Sequence, residues 1–149
     1  MIKTRWAIAL VVAAGVLGGG RAEAAKCTIS TAPIVFGIYD VFNTAPLDTT
    51  GTLVYECNGA KNVSIGISRG QGTVAARLLR KGTEALGYNL FLDPTLSTIW
   101  GDGNGAGEMY YIRNPPNKPT TVPVYGRIPA GQDISAGTYA DSVTVTVNF

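Results

Sequence analysis

Apolar and polar residues alternate with a period of two along much of this chain, most clearly over Gly137 to Phe149, GTYADSVTVTVNF. Tyr139, Asp141, Val143, Val145, Val147 and Phe149 fall on one side, and Ala140, Ser142, Thr144, Thr146 and Asn148 on the other. Side chains of a strand point alternately to its two faces, so this stretch predicts a strand with one apolar and one hydroxyl-rich face. Domain ends usually trail off in polar residues, whereas this strand runs to the last residue. The pattern recurs in shorter form. VYEC sets Tyr55 and Cys57 against Val54 and Glu56, and NVSIGIS sets Val63, Ile65 and Ile67 against Ser64, Gly66 and Ser68. GYNLFLD places Tyr88, Leu90 and Leu92 together, MYYIR follows, and TVPVYGRI aligns Val122, Val124, Gly126 and Ile128.

Short strands at this spacing, punctuated by turn residues, predict an all-β antiparallel sandwich or barrel. VAARLLRKGTEAL, residues 74 to 86, is the one stretch with helical character; Gly82 interrupts it and leaves room for a single turn. There is no repeat, low-complexity tract or dividing linker. NPPNKP, residues 114 to 119, reads as a rigid loop within one domain.

The N-terminal residues read differently. Basic Lys3 and Arg5, an apolar run from Trp6 to Leu17 and the small-residue triplet Ala22-Glu23-Ala24 predict a signal peptide over 1–24 and a domain over 25–149. Lys26 argues against a lipoprotein anchor at Cys27, because that processing needs a small residue there. Cleavage would take three bases and one acid from totals of 12 and 10, leaving nine of each. The mature chain is thus formally neutral, which removes the electrostatic case for nucleic-acid binding. An exported chain meets an oxidising compartment, so Cys27 and Cys57, the two cysteines present, are expected to form a disulfide. Closing their loop would stabilise the domain by about 3 kcal/mol.

Candidate chemistry is sparse. The chain contains no histidine, the commonest general base and metal ligand. Gly66-Ile67-Ser68-Arg69-Gly70 fits a nucleophile-elbow pattern, but that device needs a following helix and a base to take the serine proton. Ser68 therefore reads as a strand end, and no catalytic residue is assigned. In WGDGNGAGEMY, Asp102 and Asn104 open a calcium-loop spacing, yet Ala106 and Arg113 occupy later ligand places, so a glycine-rich connection is expected and no metal or cofactor. Asp93, Asp102 and Glu108 read as solvated charge. Trp100 with Tyr39, Tyr88, Tyr110, Tyr111 and Tyr125 could line a sugar-binding face, although strands favour aromatic residues for packing alone.

Taken in order, several pieces resemble the spore coat protein U family, which includes the Csu-type pilins of archaic chaperone–usher fimbriae. They are the Cys27–Cys57 frame, Gly37 in VFGIYD, VSIGIS, Arg77-Leu78-Leu79, YNLFLD with WGDG behind it, VPVYGRIP, and the closing G-x-Y-x-D-x-V-x-V-x-V-x-F. The resemblance implies an immunoglobulin-like Greek-key sandwich lacking its final strand. It also implies a non-enzymatic subunit of an adhesive, biofilm-forming surface fibre, exported through the periplasm. Its implied partners are a periplasmic chaperone, an outer-membrane usher and neighbouring pilins, with no small-molecule substrate. The missing strand would come first from the chaperone and then from a neighbour, by strand addition to an open edge.

Val143, Val145, Val147 and Phe149 would then line the accepting groove, and covering four such side chains is worth roughly 6 to 12 kcal/mol at about 1.5 to 3 each. The sequence departs from the pilin pattern ahead of Cys27. With cleavage after Ala24 only Ala25 and Lys26 precede Cys27, and even with earlier cleavage GGGRAEAA makes a poor donor strand. That points to a tip or terminal position in a fibre, or alternatively to a self-contained spore coat or matrix protein.

Overall fold

The computed structural model describes residues 23–149, so the expected signal peptide, apart from Glu23 and Ala24, lies outside the described residues. Eight strands form: β1 (Lys26–Thr31), β2 (Leu47–Asn58), β3 (Asn62–Ile67), β4 (Arg77–Lys81), β5 (Glu84–Phe91), β6 (Tyr110–Arg113), β7 (Thr120–Ile128) and β8 (Val145–Asn148). They make two antiparallel sheets, ordered β1-β2-β7-β5-β4 and β6-β3-β8. The predicted alternation explains what lies between them. Leu53, Tyr55 and Cys57 of β2, Val122, Val124 and Ile128 of β7, and Leu86, Tyr88 and Leu90 of β5 meet Val63, Ile65 and Ile67 of β3 in one buried core.

Two large side chains anchor this core. Trp100 is fully buried and its indole N–H donates to the Ile65 carbonyl at 2.8 Å, while its ring packs 5.8 Å from that of Tyr110. A sugar-binding role for Trp100 is thereby overturned: the indole belongs to the interior. Arg77 is also fully buried. Its guanidinium donates to the carbonyls of Ser68, Ile67 and Trp100 and to Asn89 Oδ1, at 2.9, 2.9, 2.7 and 2.6 Å. Burial lowers its pKa, but four of its five N–H donors point at an oxygen and each of its three nitrogens is bonded.

Three local expectations change. The stretch with helical character is a hairpin, with Arg77 paired to Tyr88 and Lys81 to Glu84 around a two-residue turn. Arg77's interior hydrogen bonds and this pairing outweigh the weak helical propensity of its neighbours. β1, which the alternation did not single out, pairs along its whole length with β2. The closing strand is regular only over Val145–Asn148. Ahead of it, Ala140 exchanges two backbone hydrogen bonds with Arg80 beside the first sheet, and Thr144 accepts from Ser68 N beside the second. The chain crosses between sheets at 141–143 while keeping its in–out alternation.

Candidate functional site

The sheet edge at β8 is open. β8 pairs with β3 on one side and with no strand among the described residues on the other. The pairing register sets Ile65 opposite Val147 and Ile67 opposite Val145. Because Ser68 N donates to the Thr144 carbonyl, the residues directed at β3 are 144, 146 and 148. In an antiparallel ladder the intervening residues turn their N–H and C=O groups the other way, so those of Val145 and Val147 face the open edge. β8 also lacks the features that usually blunt an edge. The edge strand β1 carries Lys26, β4 carries Arg80 and Lys81, and β6 carries Arg113; β8 has neither charge nor proline.

Beside this edge lies an apolar groove in two joined lobes. The smaller, about 330 Å³, runs under Val143 and Val145, with Ile34 and Phe36 opposite and Leu90 and Val124 in the floor. The larger, about 880 Å³, lies between residues 33–41 and 134–141 over Leu86 and Ile128. Both lobes share Pro33, Ile34, Phe36, Leu79 and Asp141. The wall at 32–39 makes no backbone–backbone hydrogen bond to any described residue. Side chains hold it instead. Ile34 and Phe36 sit against Gly51 and Gly126, where an added Cβ would come within 2.5 Å and 2.8 Å of them, and Phe36 packs edge-on to Tyr88 at 5.7 Å. Tyr39 OH donates to the Pro129 carbonyl and accepts from Gln132 N, closing the groove at that end.

A polar cluster fixes the facing wall. Glu84 accepts from Ser135 Oγ at 2.6 Å and Tyr139 OH at 3.0 Å and pairs with Lys81 at 2.7 Å. These contacts, the Lys81 one foremost, hold the Glu84 pKa down at about 2. Asp141 accepts from Tyr88 OH, Gln71 N and Ser142 N. Burial, then the Asp141 bond, pushes the Tyr88 pKa up.

Of the residues singled out from sequence, Cys27 and Cys57 are bonded, facing each other across β1 and β2. Val143, Val145 and Val147 are partly buried and packed on the core, whereas Phe149 is 57% exposed. Phe149 lies beyond the last β3 pairing, Asn148 with Ser64, and nothing fixes it inward. Ser68 Oγ accepts from Thr144 N, a structural bond. Asp102 Oδ1 accepts from Asn104 N, and among the described residues no cluster of three or more His, Cys, Asp or Glu gathers there or elsewhere. Asp93 accepts from the Thr95 hydroxyl and from Ser97 and Thr98, capping its own turn. Sequence reasoning missed the 33–41 wall, whose signal was PIVFGIY with Gly37 breaking the alternation.

Fold and edge together define an immunoglobulin-like β-sandwich with an open strand beside an apolar groove. The chain belongs to the Spore Coat Protein U domain family, whose model matches residues 16–146. It is 34% identical over 128 residues to Protein U of Myxococcus xanthus, covering 76% of this chain and 70% of that one. Its fold is similar to that of a chain in the CsuC–CsuE chaperone–tip adhesion subunit pre-assembly complex from the archaic chaperone–usher Csu pili of Acinetobacter baumannii. The TM-score is 0.59 at 23% identity, over 85% of this chain and 40% of that one.

Proposed function

We propose that the protein is an exported, non-catalytic subunit of an archaic chaperone–usher surface fibre, which accepts a strand from another polypeptide along β8. The observation that carries this reading is the edge itself: the outward backbone groups of Val145 and Val147 beside an uncovered apolar groove. A strand laid there would hydrogen-bond to β8 on one side and meet, on the other, the 32–39 segment, whose backbone is bonded to no other backbone and whose Val35 carbonyl accepts from the Thr49 hydroxyl. Its alternate side chains would fill the two lobes. A periplasmic chaperone would supply that strand during export, and a neighbouring subunit after passage through an outer-membrane usher. The family membership and the fold shared with a chain of a pilus pre-assembly complex support these partners. The residues ahead of Cys27 support a terminal position: the expected cleavage would leave Ala25 and Lys26, and the glycine-rich stretch 18–25 would make a poor donor if it were retained.

The identity to Protein U favours a second reading, a self-contained coat or matrix protein. Expression in a periplasm with and without the candidate chaperone separates the two. Recovery only as a one-to-one complex supports the strand-accepting subunit. A lone monomer that melts cooperatively and takes up no peptide supports the coat protein.

A further inference from the structure

We propose that the groove selects an extended segment carrying one basic residue, lysine or arginine, whose cation meets the Asp141 carboxylate where the two lobes join. This inference rests on the strand-accepting reading. Among the described residues lining either lobe, the charged ones are Asp40 and Asp141; neither lobe is lined by a lysine or arginine. Asp40 is exposed, with Oδ1 accepting from Phe42 N at 3.0 Å, so it keeps its water when a strand enters the groove. Asp141 is placed differently. It is half-buried, belongs to both lobes, and stands opposite Ile34 and Phe36 with Leu79 in the floor.

The Asp141 carboxylate takes three hydrogen bonds, from Tyr88 OH at 2.8 Å, Gln71 N at 3.1 Å and Ser142 N at 2.7 Å. A carboxylate accepts about four, so one acceptor direction is left. Arg77 lies close enough to feel its charge, but the Arg77 donors go to the carbonyls of Ile67, Ser68 and Trp100 and to Asn89. An inserted strand that covers Asp141 with an apolar side chain strips water from a carboxylate and returns nothing. One that presents a cation makes a charge-assisted bond. The same contact fixes register. Sliding the strand by two residues keeps its faces but carries the cation into an apolar lobe and an apolar side chain onto the carboxylate.

The test refolds the mature chain with synthetic peptides of alternating apolar and threonine residues. Each inward position in turn is lysine, leucine or aspartate, and binding is read by anisotropy. Lysine at one inward position is expected to bind about tenfold tighter than leucine there, with aspartate weakest. In Asp141→Asn the lysine-to-leucine ratio is expected to fall to near one. Because Asp141 also holds Gln71 and Ser142, the peptide series on the unmodified chain decides the question if the variant does not fold. Leucine binding best at every position would overturn charge selection and leave the groove standing. Binding by none of the peptides would overturn the groove reading, and this inference with it.

Discussion

Arg77 shows how a single residue holds the interior together. Its guanidinium satisfies three carbonyls from two chain segments and one side-chain amide, with no carboxylate bonded to it. Arg77→Leu strands those acceptors in the core and is expected to cost roughly 3 to 5 kcal/mol in urea unfolding. Arg77→Lys keeps the charge but cannot reach all four acceptors, and is expected to lose about 1 to 3 kcal/mol. At Gly126 an added methyl would press on the Phe36 ring. Gly126→Ala is expected to cost about 1 to 3 kcal/mol and to displace the groove wall, read as a change in Tyr88 fluorescence or chemical shift. Glu84 gives a pH signature. Its folded pKa of about 2 lies below the ordinary 4.5, so its contribution is present above pH 4.5 and lost as pH falls toward 2. The stability difference between wild type and Glu84→Gln is therefore expected to be level above about pH 5 and to vanish near pH 2. A burial role for Arg77 was not legible in sequence, where a charged residue reads as surface by default. Val63, Ile65 and Ile67 were legible because period-two alternation leaves one face for the core.

At the scale of elements, strands whose hydrophobic faces repeat were readable, and those held by pairing alone were not. β1, KCTIST, has little apolar pattern; its register with β2 and the Cys27–Cys57 bond hold it in place. Replacing both cysteines with serine is expected to lower stability by about 3 kcal/mol, checked by denaturant unfolding. The wall at 33–41 follows β1 directly, so strand uptake should weaken in the same variant. β8 offers a sharper test. Proline at 145 removes an N–H that faces the open edge, whereas proline at 146 removes one that faces β3. Val145→Pro is expected to stay folded and lose strand uptake, while Thr146→Pro is expected to lose the fold, as separated by circular dichroism and peptide binding. The closing stretch was legible as alternation but not as a crossing between sheets, because in–out alternation survives the switch.

Among the described residues, four strands lie at sheet edges, and of these β8 alone has neither charge nor proline. Five exposed large apolar residues stand out among the described ones, and three of them, Val35, Ile38 and Phe42, belong to the wall of the groove or follow it directly. The inward valines of β8 stay half-covered, while Val63, Ile65 and Ile67 beside them are sealed. Among the described residues the groove beside β8 is left uncovered, and that is where the proposed donor strand would lie. The most direct measurement is residue-resolved amide hydrogen exchange across β8, in the free protein and with a strand donor bound. Thr146 and Asn148 are expected to be protected in both states, and Val145 and Val147 only in the bound one. Slow exchange at Val145 and Val147 in the free monomer would mean that the edge is already filled, and would contradict the account.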